Sequence, residues 1–338
     1  MSELETGAAD LRERIGRVGV WGHLDSFDAP TARAYAARAD QLGYGALWVP
    51  ETVGREPFAL LAVLAGATER LTLGTSIASI WARDAQTARM AALTIQEASG
   101  GRFVLGLGVS HPHLAERLRG HHYEKPLTRM REYLATYRAA VWKGPAGPGD
   151  AGLREPPVLL AALRERMLDL AATEASGAFP YLVTPERVAS MRARLDGAGP
   201  GHPAGHGPGD PPEDSPRDPA GDRPVLAVTL PVVLAPDPAD GAAREAARAY
   251  LAPYLRPINY QASWALQGFD EADWAKPGSD RLVEAMVAIG PPQALRARIA
   301  ALHAAGADHV AVIPLAPDGA TEHLPTLEDL AASGPHVV

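Results

Sequence analysis

A closed (β/α)8 barrel is the fold class that this sequence predicts, and three features of the chain point to it. Short β-branched apolar runs alternate with longer segments of helical period, the pattern of βαβ units around a parallel sheet. Eight such runs occur, the number that closes a barrel without a second core. The length of 338 residues is also common for one barrel. We therefore read residues 1–338 as a single barrel domain, with a doubly wound open sheet as the alternative.

The first strand is read at Arg17–Trp21. Pro30 opens a helix that runs to Leu42, because its fixed φ suits a first turn, and Gly43 ends it. The second strand is Ala46–Val49, stopped by Pro50, and a helix from Pro57 to Ala67 leads to the third at Leu71–Thr75. A long helix from Asp84 to Ala98 closes on Gly100-Gly101, and the fourth strand follows at Phe103–Leu107. A helix from Leu127 to Trp142 precedes the fifth strand, Val158–Leu160, and another from Arg164 to Glu174 precedes the sixth, Ala178–Val183. Pro180 is the irregularity in that run, since proline lacks the N–H a central strand needs. Val225–Leu234 and His309–Ile313 complete the eight.

Two stretches break this rhythm. Residues 197–224 are dense in Gly, Pro, Asp and His with almost no apolar side chains, so a disordered loop is expected there. Residues 253–279 carry Asn259, Tyr260, Trp264, Phe269 and Trp274 between strands seven and eight, and read as an aromatic insertion over the barrel mouth.

Composition excludes several classes. A net charge of −8, with Lys and Arg scattered among Asp and Glu, argues against a nucleic-acid surface. The absence of cysteine removes disulfides, thiolate catalysis and thiolate metal sites. Met1–Arg17 has no apolar core of a secretory signal, and no run of about 18 apolar residues suggests a membrane span. A cytoplasmic location is the expectation.

Barrel enzymes place their chemistry on the loops that follow the strands. That rule selects Trp21-Gly22-His23, Pro50-Glu51, Ser76-Ile77-Ala78-Ser79, Gly108-Val109-Ser110-His111, Ala161-Ala162-Leu163-Arg164 and Tyr181 to Thr184. Gly106-Leu107-Gly108-Val109-Ser110-His111 fails the dinucleotide fingerprint, because His111 stands where a third glycine belongs. Gly106 and Gly108 are read instead as room for a flat ring. His111-Pro112-His113 with His121-His122 invites a zinc reading, but the later strand ends offer no matching ligands. His202 and His206 fall in the polar loop. Glu51 is either a free carboxylate or the partner of Arg55.

Several segments carry a resemblance: Gly45–Glu51, Leu71–Ile77, Glu97–Val109, Pro157–Ala162 and Ala305–Val310, in that order. Together they resemble the luciferase-like monooxygenases and related deazaflavin-dependent reductases, in particular coenzyme F420-dependent oxidoreductases. The resemblance implies a bulge on strand three with a non-prolyl cis peptide, matched here by Ser76-Ile77, against the central ring of the cofactor. It implies a proton donor after strand four, where His111 replaces the usual acid, and a cofactor phosphate at Ala162-Leu163-Arg164, with Thr184 nearby. Ser79 and Ser110 fall in the matching cofactor loops. Where alcohol-oxidising members carry Asp-His after strand two, this chain has Pro50-Glu51.

The expected activity is hydride transfer between C5 of F420 and a small-molecule substrate, with His111, Glu51 and His23 moving protons. FMN with a separate reductase and dioxygen is the alternative cofactor reading. A metal-dependent hydrolase and a non-catalytic cofactor-binding paralogue are the readings from other classes. The resemblance also implies a homo-oligomer.

Overall fold

The computed structural model describes residues 7–146, 152–198, 223–316 and 321–332. Its strands are β1 (Val18–Trp21), β2 (Ala46–Val49), β3 (Thr72–Thr75), β4 (Ala78–Ser79) and β5 (Phe103–Gly108). The remainder are β6 (Val158–Leu160), β7 (Gly177–Ala178), β8 (Val225–Leu234), β9 (Ala288–Gly290) and β10 (His309–Leu315). The ring runs β10-β1-β2-β3-β5-β6-β7-β8, and β10 pairs back onto β8, which closes it. All ladders are parallel, as expected where each connection carries a helix. The closed barrel is therefore present, and the open sheet is not.

Helices begin where the sequence marks them. Asp28 caps Ala29–Gln41 by accepting from Thr31 N at 2.8 Å, and Asp84 caps Ala85–Ala98 in the same way from Thr87 N. The helix before β6 spans Pro126–Ala139, three residues short of the expected end. The sixth ring strand is the larger difference. It stops at Ala178, because Pro180 has no N–H for a ladder and Leu182 turns to a φ of 56°. Helix Pro185–Ala198 extends into the start of the expected disordered loop, and residues 199–222, with His202 and His206, lie outside the described residues. No helix among the described residues is long and apolar enough to cross a membrane.

Two apolar layers follow from the strand period of two. Val18, Val20, Leu47, Leu73, Leu105, Val310 and Val312 face the surrounding helices. Trp48, Val104, Leu159, Ala227, Ala311 and Ile313 fill the barrel interior, with Leu11 and Ile15 of helix Ala8–Ile15 in the same cluster. Interior space is tight. A Cβ on Gly19 would meet the His309 ring at 2.6 Å, and one on Gly74 would meet Trp48 at 2.3 Å. Those two rings are joined, for Trp48 Nε1 donates to His309 Nε2 at 2.9 Å. His309 Nδ1 must then carry the proton that it gives to Gly16 O at 2.9 Å.

Burial holds the His309 imidazole neutral and lowers its pKa to about 4. The folded value lies below the unfolded one, so its stabilisation is present above about pH 6.5 and is lost as pH falls toward 4. We expect stability to drop by about 3 kcal/mol from this group between pH 7 and 4. Urea unfolding of the wild type and of His309→Gln across that range measures it, and the variant should show the shallower pH dependence.

Candidate active site

A cavity of about 310 Å3 opens at the C-terminal ends of the strands, within the usual range for small-molecule sites. Its floor is the bulge that separates β3 from β4. Gly74 pairs with Val104 and Ala78 with Leu107, so β3–β4 carries one residue more than β5 across that interval. The Ser76-Ile77 bond is cis, as the resemblance implies. Each bulge contact is specific. Ser76 N donates to Val49 O at 2.9 Å, and Trp21 Nε1 donates to Ser76 O at 3.1 Å. Glu51 N donates to Ile77 O at 3.3 Å, and Ser79 N donates to the Glu51 carboxylate at 2.7 Å.

The structure corrects the reading of Glu51. Arg83 grips both carboxylate oxygens at 2.9 Å, and Arg119 bonds Oε1 at 3.0 Å. With Ser79 N, four donors occupy a side chain that is only 5% exposed, which leaves no free lone pair for a general base. Arg55 is not its partner. That guanidinium bonds Phe27 O, while the Arg55 N–H bonds Asp25, because residues 51–56 run as an irregular loop with no helical i,i+4 geometry.

His111 sits after β5, where Ser110 adopts a φ of 55°. Its ring stacks on His113 at 5.8 Å between centroids and tilts against Tyr260 at 5.4 Å. Its Nδ1 is buried with no hydrogen-bond partner. Burial, with His113 adding like charge, pulls its pKa down to about 4. At neutral pH the ring is thus a neutral donor-acceptor and not an imidazolium acid, which sharpens the role suggested by residue type alone.

His23 is half-exposed, with Nε2 at 3.7 Å from Asp25, and Asp25 also accepts from the Thr52 hydroxyl. Across the cavity, Ala162, Leu163 and Arg164 precede helix Glu165–Glu174, whose N-cap Arg164 supplies no side-chain acceptor. Arg164 therefore caps none of that helix's first N–H groups, though the Glu165 carboxylate meets its own N–H there, beside a guanidinium. Tyr181, Tyr254 and Tyr260 also line the space. The Tyr181 hydroxyl bonds that of Tyr250, and that of Tyr254 at 3.1 Å. Burial raises the pKa of each, so all stay neutral.

Of the residues singled out in the sequence, His23, Glu51, Ser76, Ile77, Ser110, His111, Ala162, Leu163 and Arg164 line the cavity. Gly106, Gly108, Ser79 and Thr184 do not. A Cβ on Gly106 would strike Thr75 O at 1.9 Å and one on Gly108 would strike Ile77 Cδ1 at 2.4 Å, so these glycines admit the bulge and not a ring. The Ser79 hydroxyl accepts from Trp81 N, and the Thr184 hydroxyl accepts from Arg187 N in the first turn of a helix. Among the described residues no cluster of three His, Asp or Glu side chains could hold a metal. Phe179, Leu114 and Met167 line the cavity without a sequence signal of their own, because only tertiary packing turns them inward, whereas Tyr254 belongs to the aromatic stretch of residues 253–279. From the aromatic stretch, Asn259 and Tyr260 reach the cavity, while Trp264 and Phe269 lie in the core.

A closed parallel barrel with a bulge between β3 and β4 and a cavity at its mouth is the class of structure that the fold and site define. The family model of the luciferase-like monooxygenases matches residues 15–309, and the chain belongs to that family. A curated protein of Mycobacterium tuberculosis named "Putative coenzyme F420-dependent oxidoreductase" is 31% identical over 207 residues, 53% of this chain and 58% of that protein. The chain therefore matches little more than half of that relative's length. The structure of an F420-dependent secondary alcohol dehydrogenase, in complex with an F420-acetone adduct, superposes with a TM-score of 0.70 at 15% identity, covering 95% of this chain and 99% of that one. The oxygenating constituent of a 3,6-diketocamphane monooxygenase from Pseudomonas putida, in complex with FMN, gives a TM-score of 0.67 at 15% identity, with 95% and 97% covered. Both likenesses establish the fold.

The His111 environment is measurable directly. Ring-proton NMR titration should place its midpoint near 4, as the buried and His113-flanked ring requires. His113→Ala should move that midpoint upward, since it removes the like charge while burial remains.

Proposed function

We propose that this chain is a coenzyme F420-dependent oxidoreductase that moves a hydride between its deazaflavin and a small organic substrate in the mouth cavity. One observation carries the reading. A single cavity joins a helix N-terminus whose N-cap side chain makes no hydrogen bond, beside Arg164, to the orphaned buried Nδ1 of His111. The first fits an anionic phosphate, and the second is an unsatisfied polar atom of the kind a polar heterocycle would pair with. When bound, the deazaflavin would supply the hydride acceptor or donor at its C5.

The protein's own part is binding, orientation and proton handling. The Ser76-Ile77 bulge, held by Trp21 and Glu51, forms a rigid floor for a flat ring. The N–H groups at Ala162 and Leu163, with the Arg164 charge, receive the phosphate. Trp21, Phe179, Tyr181, Tyr254 and Tyr260 cover the space with aromatic surface and limit water. His111 is neutral above about pH 4 and can take a proton at one ring nitrogen while donating from the other. His23, with Asp25 beside it, is a second proton carrier at the rim. Glu51 contributes through position alone.

Separate titrations of the purified protein with F420 and FMN, followed by fluorescence and thermal shift, test the reading. F420 should bind saturably and raise the melting midpoint while FMN does not. A response to FMN alone would transfer the protein to the flavin monooxygenase reading, and no response to either would remove both. With F420 bound, His111→Ala should lower turnover by about 100-fold, far more than it weakens cofactor affinity. Unchanged turnover would remove His111 from the chemistry.

A further inference from the structure

The segment between β5 and helix Pro126–Ala139 supplies Val109, Ser110, His111 and Leu114 to the cavity. It is irregular apart from a single π-turn at Leu114–Leu118, a local form often found at functional sites. Its internal bonds give it a shape. Leu114 N and Ala115 N donate to His111 O at 3.0 Å, His121 N donates to Ala115 O at 3.0 Å, and the Tyr123 hydroxyl donates to Ser110 O at 3.3 Å. None of these bonds fixes the segment against the barrel.

Few contacts do. Trp81 Nε1 donates to Val109 O at 2.8 Å, and the Trp81 ring meets those of His121 and Tyr123 at 5.7 and 5.8 Å. Tyr260 meets His111, and Asn259 bonds the Tyr123 side chain. The remaining tie is ionic. Arg119, just past the π-turn, reaches Glu51 Oε1 at 3.0 Å, and among the described residues this is the segment's one ion pair to the rest of the fold. Its carboxylate is 5% exposed and its guanidinium side chain 26%, so solvent screens it less than a surface pair.

Glu51 is also the residue that ties down the opposite wall, through Ile77 O and Ser79 N. One residue thus fixes both sides, with its N–H on Ile77 O and its carboxylate on Ser79 N and on the Arg119 of the loop that carries His111. We infer that the Arg119–Glu51 pair is a positioning latch, setting the distance between the Ser76-Ile77 floor and His111. Arg119 is not a cavity-lining residue, so it acts through the loop and touches no reacting atom. This role rests on the reading of the cavity as the active site, but the latch itself is a property of the free protein.

The test uses full-length Arg119→Gln and Arg119→Lys. In the free protein, amide exchange across residues 110–124 should quicken by about tenfold in Arg119→Gln, with the barrel strands unchanged and the melting midpoint within about 2 °C. The His111 ring midpoint should rise from about 4 toward its ordinary value as the ring gains water. Arg119→Lys should recover part of both effects, since it keeps the charge and loses the planar fork. With cofactor bound, the single-turnover rate of Arg119→Gln should fall by about tenfold while cofactor affinity changes by less than about threefold. Glu51→Gln should loosen residues 76–81 as well as 110–124, which separates the shared anchor from the one-sided latch.

Unchanged exchange and an unchanged His111 midpoint in Arg119→Gln would overturn the latch, whatever the activity. Exchange that quickens equally throughout the barrel, with a large fall in melting midpoint, would overturn it too, by showing a general stabilising pair. If the wild type binds neither cofactor, the proposed activity falls while the exchange and titration results still decide the latch.

Discussion

The closure of the sheet through β10 is the constraint on which the rest of the molecule depends. His309–Leu315 pairs with Ala227–Val233 on one side, and its Val310–Val312 portion pairs with Val18–Val20 on the other. Without that double pairing the sheet would have two open edges and the strand ends would not converge. With it, the segments after β1, β2, β3, β5 and β6 meet around one mouth. The interior below that mouth is already filled by the Trp48 and His309 rings, which lie where Gly19 and Gly74 leave room. The cavity can form only above them.

Within the mouth, polar satisfaction separates structure from chemistry. Glu51 receives four donors and is fully committed, so its charge holds this part of the mouth together. His111 is the opposite case, with a buried ring nitrogen that has no partner, one of several such side-chain atoms among the described residues and one that belongs to a cavity-lining side chain. An unpaired buried acceptor or donor is costly, and such a cost is most readily tolerated where a ligand completes the pairing. The same logic covers the helix at Glu165, whose N-cap side chain makes no hydrogen bond to the first turn.

Charge at the site is sparse for a second reason. The three linked tyrosines and His111 are neutral at pH 7 because burial disfavours their ionised forms. Proton movement in this mouth would then run between neutral groups, with fixed charge confined to the Glu51 cluster, to Arg164 and to the Asp25 edge.

By itself, the sequence determined the barrel, the order of its strands and the ends that bear the site. These depend on local properties: apolar period, capping Asp28 and Asp84, and proline and glycine punctuation. It also located the histidine after the strand that became β5, while the bulge at Ser76-Ile77 followed from the family resemblance and from no local property. It misplaced what depends on distance. Gly106 and Gly108 read as space for a ring, yet the space is taken by Thr75 O and the Ile77 side chain, atoms from a neighbouring strand. The strand expected through Val183 ended at Ala178, since the proline's missing N–H outweighed the apolar run around it. Glu51 paired with Arg83 and Arg119, 32 and 68 residues away, and not with Arg55 four residues on. Whether a carboxylate is a base or an anchor is settled by how many donors reach it, and only the closed barrel brings those donors together.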